Sequence, residues 1–290
     1  MRKTLLSTLV VVVGATLALV ATASGARSAQ SVIPGCSPSS LDLLKDGVLT
    51  VGADNPAYPP WFGGAEKKPW KVSNPYSGKG YESAVVYAIA AQLGLPKSAV
   101  VWKYVPFNNS YRPGKKPFDF YATQVSISPE RAKAVDFSRA YYFNNQAVVG
   151  LKGTPITKAK SIAGLRKFKL GAQVGTTSYT YITRQIKPST TTSVYDTNDG
   201  AIQALKNGQI DGILVDLYTA FYVVAVQLDD GVIVGKLPNK GTVDRFGLVF
   251  EKGNPLRGCV DRAIGNLWAN GTIKKIDKTY LANAGAPDLK

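Results

Sequence analysis

The chain has 290 residues, 45% of them hydrophobic and 19% charged, with a formal net charge of +16. That balance excludes a disordered chain and leaves room for two domains, each with its own core. With no histidine anywhere, the commonest general base and imidazole-based metal sites are excluded as well.

The first residues read as an export signal. Arg2 and Lys3 precede an almost wholly apolar run over residues 5–20, and small residues follow at Ala21, Ala23 and Ala26. The pattern is that of a signal peptide with an A-x-A site, cut most simply after Ala23. Residues 1–26 are therefore assigned to the signal and 27–40 to a polar lead-in. The apolar run is short for a membrane span, which needs about 20 residues. Export puts the two cysteines, Cys36 and Cys259, in an oxidising compartment, where a disulfide is expected. Closing so long a loop contributes about 2–5 kcal/mol. The competing reading is lipid attachment at Cys36, since "VIPGC" resembles a lipobox, although Pro34 fits that pattern poorly.

After the lead-in, strand-like and helix-like stretches alternate. "VLTVGA" (48–53) is an apolar strand ending at Asp54, and "YESAVVYAIAAQLGL" (81–95) has helical spacing stopped by Gly94. "VVWKYV" and "FDFYATQV" read as two further strands. A second set opens with the strand "FKLGAQV" (168–174) and the helix-like "TTSYTYITRQI". It continues with "TSVYD", the helix "DGAIQALKNG", the strand "IDGILVD" and the helix "LYTAFYVVAVQL". The last segment is a strand, "FGLVFEKG", followed by a long amphipathic helical region. Such alternation predicts α/β architecture with mostly parallel, doubly wound sheets, and its repetition predicts two lobes.

In open α/β sheets, ligands gather beyond the carboxyl ends of the strands. Four places there carry suitable chemistry. In "QVSISPERAKAVDFS", which begins at Gln124, Ser128 suits a helix N-cap and Pro129 the first helical position. Arg131 then falls in the first turn with Ser126 nearby, and a guanidinium beside free backbone N–H groups suits a carboxylate. The alternative is that Arg131 pairs with Asp136 or points to water. In "GAQVGTTSY", Thr176, Thr177 and Ser178 follow Gly175 and can cap a helix while offering donors to the same anion. Asp216 ends a strand, where it can cap the next helix or accept from an ammonium group. In "ADNPAYPPWF", Asp54 and Asn55 can hold a polar group, and Tyr58 and Trp61 can form an apolar wall or belong to the core.

Taken in order, "LTVGADNPAYPPWF", "KGYESAVVYAIAAQLG", "FDFYATQVSISPERAKAVDFSRAYY", "LGAQVGTTSY", "ALKNGQIDGILVD" and "FGLVFEKGNPLRGCVDRAIGNLWANG" resemble the bacterial extracellular solute-binding proteins of family 3, which serve amino-acid ABC importers. The resemblance runs from about residue 41 onward. It implies a type II periplasmic-binding-protein-like clamp with lobe 1 over residues 41–146 and 243–290, lobe 2 over 147–242, and hinges near 145–149 and 237–245. It implies that Arg131, with Ser126 and Thr176 or Thr177, holds the α-carboxylate of a free amino acid, and Gln124 is counted among the ligand-binding residues. Asp216 would receive its α-ammonium, and Asp54, Tyr58 and Trp61 would contact a polar or basic side chain. The implied partners are the amino acid and a membrane permease, with no cofactor and a monomeric state. The sequence departs from the family pattern at Glu82, where a second acid two residues on is replaced by Ala84; the difference is read as lying on the surface. The segment 108–117, "NNSYRPGKKP", is longer than usual and is expected to alter one wall of the pocket.

Rival readings are an enzyme of the same fold, such as a dehydratase or cell-wall lyase, or a sensor domain. No G-x-S-x-G motif or metal-ligand cluster occurs, and nothing motivates Asp54 or Glu82 as a catalyst. The scattered lysines and arginines form no stripe interleaved with aromatics, so nucleic acid is not an expected partner.

Overall fold

A computed structural model describes residues 33–239, 241, 243–281 and 285–290; the expected signal peptide and its cleavage site lie outside the described residues. The first elements are β1 (Leu49–Ala53), α1 (Tyr81–Gln92), β2 (Val100–Tyr104), α2 (Phe107–Ser110), β3 (Phe120–Tyr121), α3 (Pro129–Ala132) and β4 (Asp136–Phe137). Then β5 (Tyr142–Asn144) leads into β6 (Gln146–Leu151), α4 (Ile162–Leu165), β7 (Leu170–Gln173), α5 (Thr177–Tyr181) and β8 (Ser193–Tyr195). These are followed by α6 (Asn198–Lys206), β9 (Gly212–Asp216), α7 (Leu217–Tyr222) and β10 (Gly231–Lys236). The chain returns through β11 (Asp244–Phe246) and β12 (Val249–Phe250) to α8 (Leu256–Ala269) and α9 (Thr272–Tyr280).

Two five-stranded sheets result, in the orders β2-β1-β3-β12-β4 and β10-β6-β9-β7-β8. A two-stranded ladder, β5 against β11, joins them. The expected parallel pairing holds for β2-β1-β3 and for β9-β7-β8. It fails at β12, β6 and β10, which run antiparallel to their neighbours. The reason is connectivity: β6 and β12 are where the chain crosses from one sheet to the other, and they enter against the local strand direction.

Residue alternation along β6 shows how the second sheet is covered on both faces. Val148 packs with Leu170, Ala172 and Leu214 on one side, while Ala147 and Val149 pack with Ile213 and Val215 on the other. Period-2 side-chain geometry with both faces buried requires such a nearly continuous apolar run. In the first lobe, Leu49, Val51 and Phe120 pack with residues of α1 and α8. Gly80, just before α1, has φ +90, and a Cβ there would lie 2.4 Å from the Phe62 backbone. That close approach ties α1 to the loop after β1.

Of residues 243–290, which the resemblance gives to the first lobe, the end of the chain packs on the second sheet. Lys236 N–H donates to the Pro287 carbonyl, Leu289 N–H donates to the Lys236 carbonyl, and Leu289 is buried in the second lobe's core. The exposed edge of β10 leaves unpaired backbone groups, and the tail satisfies them.

Cys36 and Cys259 form a disulfide that closes a span of 223 residues and ties the lead-in to α8. Replacing both cysteines by serine is expected to destabilise the protein by about 2–5 kcal/mol in urea unfolding. Two free thiols in the mass spectrum of the unreduced protein would contradict the bond.

Candidate ligand-binding site

Loops from the carboxyl ends of strands in both sheets converge on a cavity of about 230 Å³. Asp54, Tyr58, Trp61, Gln124, Ser126, Arg131, Thr176, Thr177 and Asp216 all line it.

Arg131 sits on one turn of helix. Ser128 caps it by accepting from the Arg131 N–H at 3.2 Å, and Pro129 follows at the first position. Arg131 is 8% exposed. Its Nη1 donates to the Ser126 carbonyl at 2.8 Å and its Nη2 to the Gly175 carbonyl, on the loop after β7 in the other lobe, at 2.7 Å. Tyr111 and Phe107 lie 4.5 and 5.5 Å from its charged carbon, an arrangement that attracts a cation to the ring faces. Asp136, the alternative partner, is instead held by Lys252 at 2.9 Å. Among the described residues, no ion pair involves Arg131. It is a buried cation satisfied by neutral carbonyls and rings, which makes the wall beside it suited to an anion.

Beside it, Thr176 caps α5 by accepting from the Tyr179 N–H at 3.1 Å, which leaves Thr177 facing Ser126, hydroxyl to hydroxyl at 3.3 Å. Gly175 has φ +73, and a Cβ there would meet the Tyr111 hydroxyl at 2.6 Å and Asn108 Oδ1 at 3.0 Å. The long segment 108–117 therefore does reach the pocket: Asn108 lines the cavity and Tyr111 covers Arg131.

Asp216 ends β9 at the first position before α7, yet its side chain makes no capping bond. Its Oδ1 accepts from Asn144 Nδ2 at 2.5 Å and from Gln146 Nε2 at 2.7 Å. Burial, then the neighbouring Asp244 carboxylate, pushes its pKa up to about 7. Neither the amides nor the second acid was visible locally: Asn144 and Gln146 are 72 and 70 residues away in the chain.

Of the remaining lining residues, Asp54 is raised by burial against the backbone N–H groups of Asn55 and Phe107. Tyr58 spans the mouth, its hydroxyl donating to Asp199 Oδ2 at 2.5 Å, while Gln227 holds Asp199 Oδ1 at 3.0 Å. Trp61 is 1% exposed and packs edge-on against Tyr81, Tyr142, Tyr218 and Phe246. Its indole N–H donates to Thr219 at 3.1 Å. It is a core residue whose edge reaches the cavity, and it ties the loop after β1 to α7.

With this geometry, comparison with known proteins is decisive. The model for "Bacterial extracellular solute-binding proteins, family 3" matches residues 49–283. The chain belongs to this family. This solute-binding protein is 32% identical over 171 residues to ABC transporter arginine-binding protein 1 of Escherichia coli K12, covering 57% of this chain and 67% of that relative. It is 29% identical over 243 residues to the L-cystine-binding protein TcyJ of the same strain, covering 83% and 85% of the two chains. Among solved structures, an ancestral arginine-binding protein bound to arginine matches with a TM-score of 0.65 at 27% identity, covering 81% of this chain and 99% of that one. The two doubly wound lobes joined by two crossing segments have the fold of type II periplasmic binding proteins.

Glu82, for which sequence reasoning found no role, lies in the interior of the solute-binding protein, 1% exposed. Its carboxylate accepts from the Gln124 N–H at 2.7 Å, from the Gln124 side-chain amide, and from the Tyr141 hydroxyl at 2.5 Å. Burial raises its pKa to about 7 despite these bonds. The contacts hold Gln124 at φ +40, which ends the expected long strand "FDFYATQV" after Tyr121 and turns the chain towards Ser126. Glu82→Ala leaves buried donors unpaired and is expected to cost about 3 kcal/mol in urea unfolding. A loss below about 1 kcal/mol, as for a surface site, would contradict this.

Proposed function

We propose that this solute-binding protein captures a free L-amino acid with a polar or cationic side chain and delivers it, as an exported monomer, to the permease of an ABC importer. The observation that carries the reading is that Arg131 from one lobe and Asp216 from the other line the same cavity. In this reading the ligand's α-carboxylate meets Arg131, Ser126 and Thr177, and its α-ammonium meets Asp216. Thr176 and Gln124 shape the walls around the carboxylate. Neither lobe by itself complements both poles, so binding favours the joined state. The moving bodies are assigned as residues 41–146 with 243–281, and 147–242 with the tail.

Arg131 is the one cation among the described lining residues, whereas Asp54, Asp196, Asp199 and Asp216 are all carboxylates. That imbalance favours a ligand with a second positive charge, whose side chain would run towards Asp54, Tyr58 and the Trp61 edge. The names of the arginine- and L-cystine-binding relatives support an amino acid as the class. We read the protein as a carrier that returns its ligand unchanged, which the names of the binding-protein relatives support.

A thermal-shift panel of L-arginine, L-lysine, L-histidine, L-glutamine and L-cystine is expected to raise Tm most for a cationic member. Ligand at 100 times Kd adds about 2.7 kcal/mol. Arg131→Ala is expected to weaken calorimetric binding at least tenfold, about 1.4 kcal/mol. Unaltered affinity would reject the role given to Arg131.

A further inference from the structure

With Asp216 taken as the group that receives the ligand's ammonium, as in the reading above, its neighbour Asp244 acquires a role. Asn144 pairs in register with Asp244 across the β5–β11 ladder, and Gln146 pairs with Asp216 across β6–β9. The four side chains are thus brought together by backbone pairing. Asn144 Nδ2 donates to Asp216 Oδ1 at 2.5 Å and to Asp244 Oδ2 at 3.0 Å. Gln146 Nε2 donates to the same two oxygens at 2.7 and 3.2 Å. Ser178 donates to the Gln146 carbonyl oxygen, which fixes that amide with its NH2 towards the carboxylates. Thr177 adds a hydroxyl to Asp244 at 3.4 Å.

The donors are neutral, and each NH2 has two hydrogens to share. Among the described residues, no ion pair involves Asp216 or Asp244. The charged and titratable groups acting on them are Arg131 on α3, already committed to the Ser126 and Gly175 carbonyls, Glu82 on α1 and Tyr142 on β5. Arg245 is next in sequence to Asp244, but it is exposed. Two carboxylates held against the same neutral donors repel one another, and ionising both without a counter-charge is costly.

We propose that Asp244 is a positioning residue of the ammonium site: its carboxylate, held by the same Asn144 and Gln146 amides, makes Asp216 keep a proton in the free protein and yield it to solvent when the ligand's ammonium arrives. The ammonium keeps its three N–H bonds, and the displaced proton goes to the buffer. The cluster carries a single negative charge before and after. The raised proton affinity of Asp216, caused by burial and by Asp244, supports this. Binding therefore weakens as pH falls below about 7, where the proton competes with the ligand. Folding follows the opposite sign: the folded pair holds its proton to higher pH than unfolded carboxylates, so stability falls as pH rises from about 4 to 7.

The test is calorimetry of the full chain with L-arginine at about pH 6 in buffers of different ionisation enthalpy. Release of about one proton per ligand is expected from the wild type. Asp244→Asn is expected to release clearly less and to flatten the pH dependence of Kd. No proton release by the wild type, or the same release by Asp244→Asn, would overturn the proposal. If no panel amino acid binds, it is the amino-acid reading that fails, and the pair is judged on the free protein. Urea stability of the wild type should then fall more steeply between about pH 4 and 7 than that of Asp244→Asn. Glu82 titrates in both proteins, so the difference isolates the pair, and parallel profiles would overturn it.

Discussion

The site depends on the antiparallel pairing of Tyr142–Asn144 with Asp244–Phe246. This short ladder carries both crossings between the sheets, so it fixes where Arg131 and Ser126, on one side, can meet Gly175, Thr177 and Asp216 on the other. It also carries polar side chains of its own. Asn144 and Asp244 project from the connection itself, so any change in the angle between the lobes moves the groups that bond Asp216. In the clamp reading proposed above, such a hinge would couple lobe closure to the electrostatics of the cavity, since hinges are commonly a few strand-terminal residues.

The second theme is charge buried without a matching countercharge. Arg131 is enclosed by carbonyls and aromatic rings, and Asp216 by amides and another acid. Burying either costs free energy that neutral hydrogen bonds recover only in part. A dipolar ligand of the right length offsets both at once, whereas a simple anion or cation relieves one and leaves the other. In the reading proposed above, a zwitterion is preferred because it brings an opposite charge to each wall, and the lining carboxylates favour a cationic side chain.

Much of this was legible in local sequence. Ser128-Pro129 announces a helix start and puts Arg131 in its first turn, while leaving open whether the side chain meets Asp136, water or an anion. The position of Asp216 after an apolar strand put it at a strand end, as a cap or as an acceptor, and with two cysteines only one intramolecular pairing was available. What sequence did not reveal is long-range. Nothing local shows that Glu82, in a first helical turn, is enclosed by Gln124 and Tyr141, 42 and 59 residues away. Asp244 gains meaning only through ladder register, and the tail at 285–290 could not be placed on the second sheet without knowing that β10 is an edge. Trp61 reads from sequence as a ligand wall or a core residue; its ring packs in the core among Tyr81, Tyr142, Tyr218 and Phe246, with an edge lining the cavity.

The central claim is that opposite poles of one ligand are met by opposite lobes. It is tested most directly by calorimetry with L-arginine beside two truncated analogues, agmatine without the carboxylate and 5-guanidinopentanoic acid without the amine. The account predicts that each analogue binds at least tenfold more weakly than L-arginine, because each leaves one wall charge unmatched. Either analogue binding as tightly as the parent amino acid would contradict it.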